Sequence, residues 1–162
     1  MMKSKIVICS VCLMILSLIG CGKRDPLVWS NPENIPAEAI EKAFELRIEK
    51  HSGAAAHCLD IEGSNPPEPV MEALLDKHYK VVPGLDCKEV SGQEFSYQSP
   101  DGQAANLYSF SRFKRNNAAD WDVSWMEYMP NAKAKSGASK LMKAGDQWQA
   151  HDLLDNRQAW GQ

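Results

Sequence analysis

Hydrophobic periodicity changes character near residue 80, and this shift constrains the fold of the 162-residue chain more than anything else in it. Before that point the apolar residues recur at helical spacing. Ala37, Ile40, Phe44 and Ile48 form one stripe, while Glu38, Glu41, Lys42, Glu45 and Glu49 face away. Pro36 suits the first helical turn, where its missing N–H would be unpaired anyway, and Gly53 suits the stop. A second helix is predicted from about Pro67 to His78, with Val70, Met71, Leu74 and Leu75 as its buried stripe. Between the two helices, Ala55 to Ile61 is a short apolar run that reads as a strand.

After residue 80 the period moves towards two. Strands are expected over 79–82, 86–97, 104–114, 121–129, 133–142 and 147–153. Pro83-Gly84, Pro100-Asp101-Gly102, Asn116-Asn117, Pro130-Asn131 and Gly145-Asp146 punctuate them. Short strands joined by tight turns form antiparallel meanders. The expected class is therefore α+β, with two N-terminal helices packed on one face of an antiparallel sheet of about four to six strands. In element order this pattern resembles cystatin-like and NTF2-like folds, and small bacterial lipoproteins without assigned activity. The resemblance implies a fold and no function.

The N-terminus follows another logic. Lys3 and Lys5 precede a 14-residue uncharged run from Ile6 to Ile19, then Gly20 and Cys21. A permanent membrane span needs about 20 apolar residues, so this run reads as a secretory leader instead. Leu18-Ile19-Gly20-Cys21 has the order of a lipobox, and residues 1–21 resemble bacterial prolipoprotein signal peptides. That resemblance implies cleavage before Cys21, acylation of its thiol and amine, and a membrane-tethered mature protein. In the enterobacterial families concerned, Asp after the cysteine retains the protein in the inner membrane. Gly22 therefore implies the periplasmic face of the outer membrane.

Residues 1–20 are thus expected to be a signal peptide, 21–35 a proline-containing tether, and 36–162 a single periplasmic domain. Removing the leader leaves 16 basic against 21 acidic residues, a net charge of −5. This mild acidity argues against a nucleic-acid partner, whose binders carry basic patches. Of the five cysteines, Cys9 and Cys12 leave with the leader and Cys21 takes the lipid. Cys58 and Cys87 remain as a pair in an oxidising compartment and are expected to form a disulfide. No cofactor is implied.

The sequence carries little catalytic chemistry. Ser111-Arg112-Phe113-Lys114 has the Ser-x-x-Lys spacing of penicillin-interacting enzymes, which need that spacing on a helix. Here it falls in a strand, where residues three apart face opposite sides. His51, His57, His78 and His151 sit at no metal-ligand interval, and His57 and Cys58, being adjacent, also point apart. Asp60 or His151-Asp152 would serve as acid–base groups only if the fold joined them. No catalytic or metal-ligating set is assigned.

Aromatic residues are more suggestive. Trp121, Val123 and Trp125 share one strand face, and Trp148 lies two strands on; these are expected to fill the core. Tyr108 and Arg112 have the parity opposite to Leu107 and Phe113 and are expected on the outer face as partner-binding residues. The functional expectation is a non-catalytic module, lipid-anchored through Cys21, that binds a protein or envelope component in the periplasm. The alternatives are an immunity protein that neutralises a periplasm-acting toxin and a small envelope hydrolase.

Overall fold

The computed structural model describes residues 34–93 and 95–153. The expected leader, Cys21, Trp29 and Trp160 therefore lie outside the described residues. The class is α+β, with two helices and a curled mixed sheet. Helix α1 spans Ala37–Lys50 and begins directly after Pro36, as expected. Strand β1 is Ala56–Ile61 and α2 is Glu68–Asp76. Strand β2 (Val81–Pro83) follows, then a 3-10 turn at Gly84–Asp86 and two minimal strands, β3 (Lys88–Glu89) and β4 (Tyr97–Gln98). Four longer strands follow: β5 (Ala104–Asn117), β6 (Asp120–Tyr128), β7 (Lys135–Ala144) and β8 (Gln147–Asp152).

The sheet runs β2-β1-β5-β6-β7-β8, with β4 also on β5 and β3 on β4. β5 through β8 form the expected antiparallel meander. The first two strands do not. β1 pairs in parallel with both β2 and β5, so the sheet is mixed. The cause lies in α2, which carries the chain back so that β2 re-enters in the direction of β1. The expected strand over 86–97 is likewise broken into β3 and β4. Between them Gly92 (φ 79°) and Phe95 (φ 60°) turn the chain through left-handed backbone.

Helix α1 buries Ala39, Ile40, Ala43, Phe44 and Ile48 against the inner face of the sheet. That face presents Leu59 and Ile61 from β1, Tyr108, Phe110 and Phe113 from β5, Trp121 and Val123 from β6, Leu141 from β7 and Trp148 from β8. Phe44 meets Phe110 edge to face at 4.6 Å. In α2, Val70 and Leu74 are buried and Met71 is half-buried, but Leu75 is exposed. A smaller cluster of Ala56, Cys58 and Ala105, joined by Cys87 and Leu107, lies on the outer face.

Strand β5 carries the feature that overturns simple alternation. Its register against β6 shifts between Ser111 and Lys114, and Arg112 adopts φ 54°. This bulge inserts an extra residue, so Phe110 and Phe113 both point into the core.

Candidate functional site

Arg47 sits on the apolar stripe of α1, one turn after Phe44, and is only 1% exposed. A guanidinium taken out of water needs partners on several sides. Its Nη1 donates to Glu127 Oε1 at 3.1 Å, and Glu127 is itself 2% exposed. Its Nη2 donates to Asp152, which also accepts from Lys50 and from the Ser139 hydroxyl at 2.9 Å. His51, just past the end of α1, places Nε2 3.2 Å from Glu127 Oε2. The guanidinium lies over the Trp125 ring at 4.3 Å, and that indole occupies the space above Gly137 on the next strand. Trp121, Val123, Trp125 and Glu127 alternate onto the inner face, which is why β6 delivers both the ring and the carboxylate.

An aromatic row continues from this cluster. The His51 ring stacks with Tyr108 at 6.4 Å, and Tyr108 stacks with His57 at 5.7 Å. Asn106 Nδ2 donates to the Tyr108 hydroxyl at 3.1 Å. Burial pushes the Tyr108 phenol up to about 12, against the opposing hydrogen bond from Asn106. Burial, aided by the nearby charge of His51, pushes His57 down to about 4. Both groups are therefore neutral across the physiological range. The described residues place no serine or cysteine in hydrogen-bond contact with His51 or His57, and no group of three metal-ligating residues. Chemically, the cluster can hold α1 against β6 and β8.

The outer face of the sheet is built differently. Cys58, on the side of β1 opposite to His57, is bridged to Cys87 with a Cα–Cα separation of 6.3 Å. The expected disulfide is present, and it ties the 3-10 turn and β3 to β1. From there the chain reaches Phe95 and Tyr97, whose rings pack on Tyr128 at 5.5 and 5.8 Å. Leu107 lies opposite Tyr128 and Met126 follows two residues before it on the same face. Phe95 and Met126 are each 40% exposed, so the group forms an apolar patch open to solvent.

The sequence-predicted site residues fall out as follows. Tyr108 is not on the outer face: it is fully buried beneath α1, because inner-face parity in β5 runs Asn106, Tyr108, Phe110. Arg112 is exposed, but at the bulge its backbone N–H is taken by Glu62 Oε1 at 3.1 Å. The two residues therefore share no surface. Trp121 and Trp148 are core residues as expected, while Trp125 is half-buried over Gly137. Ser111 and Lys114 flank the bulge. Asp60 lies on the outer face of β1 and accepts from the Ser109 hydroxyl at 2.5 Å. His151 is exposed on β8, separated from β1 by three intervening strands, and Asp152 beside it turns inward to Arg47. The fold does not join Asp60 to His151.

The candidate-site residues that the sequence did not single out are Arg47, Glu127, Phe95 and Tyr128. A charge at position 47 on the stripe of Ile40, Phe44 and Ile48 was the available signal for the first. No family model matches the chain, and no curated protein or solved structure matches it either. No helix among the described residues is long and apolar enough to cross a membrane.

Proposed function

We propose that this chain is a lipid-anchored protein of the bacterial envelope whose domain binds a protein partner through the outer face of its sheet. The single observation that carries the reading is the aromatic cluster of Phe95, Tyr97, Met126 and Tyr128, in which Phe95 and Met126 are exposed and the two tyrosines half-buried. Contiguous exposed apolar surface on a small domain marks an interaction site more often than chance exposure does. Tyrosine is also among the residues that carry most interface energy. The reading further draws on the order Leu18-Ile19-Gly20-Cys21, with anchoring through Cys21 and, given Gly22, residence at the periplasmic face of the outer membrane. The binding face assigned here replaces Tyr108, whose side chain no partner can reach.

Two measurements test the proposal. Fatty-acid labelling of the wild type and of Cys21→Ser is expected to show incorporation only in the wild type. A photo-crosslinking residue at Met126 is expected to yield a discrete adduct in intact cells, and one at exposed Glu38 on α1 none. Labelling that survives Cys21→Ser refutes the anchor. An adduct at Glu38 with none at Met126 refutes the face.

A further inference from the structure

Two carboxylates, Asp60 and Glu89, stand beside the aromatic patch, with Lys88 next to Glu89 on β3. Register places Glu89 opposite Tyr97 on the same face, and Asp60 opposite Ser109, which in turn lies opposite Met126. Both carboxylates act on the Tyr97 phenol, which burial first, then Glu89, Tyr128 and Asp60 together hold above its usual range. Lys133 belongs to the loop that borders Phe95. Phe95 adds a second observation. It is a bulky residue in left-handed backbone (φ 60°), an uncommon conformation for such a side chain, and it exposes its ring there.

We infer that the Phe95–Tyr97–Tyr128–Met126 face takes a cationic segment of a partner protein, with aliphatic stems on the rings and ammonium or guanidinium groups between Asp60 and Glu89. Lysine and arginine suit this surface on two counts. Their methylene stems cover apolar area while their heads reach a carboxylate, and their cations are attracted to the faces of tyrosine and phenylalanine. The rings pack on one another at 5.5 and 5.8 Å and so form a platform, without the gap between rings that an enclosed quaternary ammonium would need. The inference rests on the binding face proposed above and specifies the chemistry that face selects.

The test uses the full-length protein in detergent and three labelled synthetic peptides of alternating composition: Lys–Trp, Ser–Trp and Glu–Trp. The Lys–Trp peptide is expected to bind about tenfold more tightly than the Ser–Trp peptide, a difference one or two cation–carboxylate or cation–π contacts supply. The Glu–Trp peptide is expected to bind most weakly. High salt should shrink the Lys–Trp advantage, since exposed charges are screened. Asp60→Asn with Glu89→Gln should erase it without abolishing binding of the Ser–Trp peptide. Phe95→Ala with Tyr128→Ala should abolish binding of all three. Equal affinity of the Lys–Trp and Ser–Trp peptides overturns the cationic inference and leaves the face intact. Binding indifferent to Phe95→Ala with Tyr128→Ala overturns both. Circular dichroism of each variant separates lost binding from lost folding.

Discussion

Arg47 on α1 and Glu127 on β6, 80 residues apart in the chain, meet in an ion pair at 3.1 Å from which water is almost wholly excluded. Such a pair contributes little net stability relative to a well-packed apolar pair, because desolvation offsets the attraction. Breaking it by halves is another matter. Glu127→Ala leaves the buried guanidinium with Asp152 alone as its carboxylate, and is expected to cost up to about 3 kcal/mol, less than a wholly unpaired buried charge would. The double variant Arg47→Met, Glu127→Leu should recover most of that loss. Urea denaturation of the three proteins checks this: a double variant no more stable than Glu127→Ala contradicts it.

Acid stability should turn on His57. Its folded pKa of about 4 lies below the ordinary value of 6.5, because burial disfavours the imidazolium and the charge of His51 adds to this. Above 6.5 neither the folded nor the unfolded state protonates the ring, so the group has no effect on stability there. As pH falls from 6.5 towards 4, the unfolded state binds a proton that the folded state refuses, and stability declines. The full window corresponds to a loss of up to about 3 kcal/mol. Asp152, held below the usual carboxylate range by Lys50, Arg47 and Ser139 against the opposing effect of burial, acts only in more acid solution. There its protonation removes further stability. His57→Gln is expected to flatten the decline between pH 6.5 and 4 and to leave the steeper acid limb. A wild-type stability profile flat over that window would contradict the assignment.

The parts of the fold that were legible in the sequence are those decided locally. Pro36 marked the start of α1 because its ring favours a first helical turn, and Gly145-Asp146 marked the β7–β8 turn because Gly145 needs φ 63°. The illegible parts depend on partners distant in the chain. Nothing local says that β1 pairs in parallel with β5, whose register is set by inner-face packing. The bulge at Arg112 has no glycine to announce it, and it resets the parity from which Tyr108 and Arg112 were assigned one face. Arg47 was readable as a charge on an apolar stripe. Its partners Glu127 and Asp152 were not, since only the curl of the sheet brings β6 and β8 under one helix.

Packing at Trp125 is expected to be unforgiving. A Cβ added at Gly137 would stand 2.4 Å from Trp125 Cζ2. Gly137→Ala must therefore move the indole, and the indole is held from above by the Arg47 guanidinium. Overpacking of this kind typically costs about 1–3 kcal/mol. The near-ultraviolet circular dichroism of the tryptophans should change with it. Trp125→Leu combined with Gly137→Ala should restore stability, since the three atoms nearest the added Cβ all belong to the ring. A Gly137→Ala protein as stable as the wild type would show that the indole has room to shift.

The disulfide should matter more to the outer face than to the core. Cys58 and Cys87 close a loop with a sequence separation of 29, and a cross-link over that length stabilises by about 3–4 kcal/mol in the chain-entropy model. The segment it holds has little else. β3 and β4 are two residues each, and only β4 reaches the main sheet, at Ala104 and Ala105. Cys58→Ala with Cys87→Ala is therefore expected to lower stability by about that amount. It should also raise amide exchange more at 87–98 than in α1 and β5–β7, whose amides accelerate only as far as the global stability falls. Since Phe95 and Tyr97 ride on this stretch, the same variant should bind the Lys–Trp peptide more weakly than its residual stability alone predicts. Uniform acceleration of exchange across the domain would mean instead that the bridge supports the fold as a whole and does not specifically place the aromatic patch.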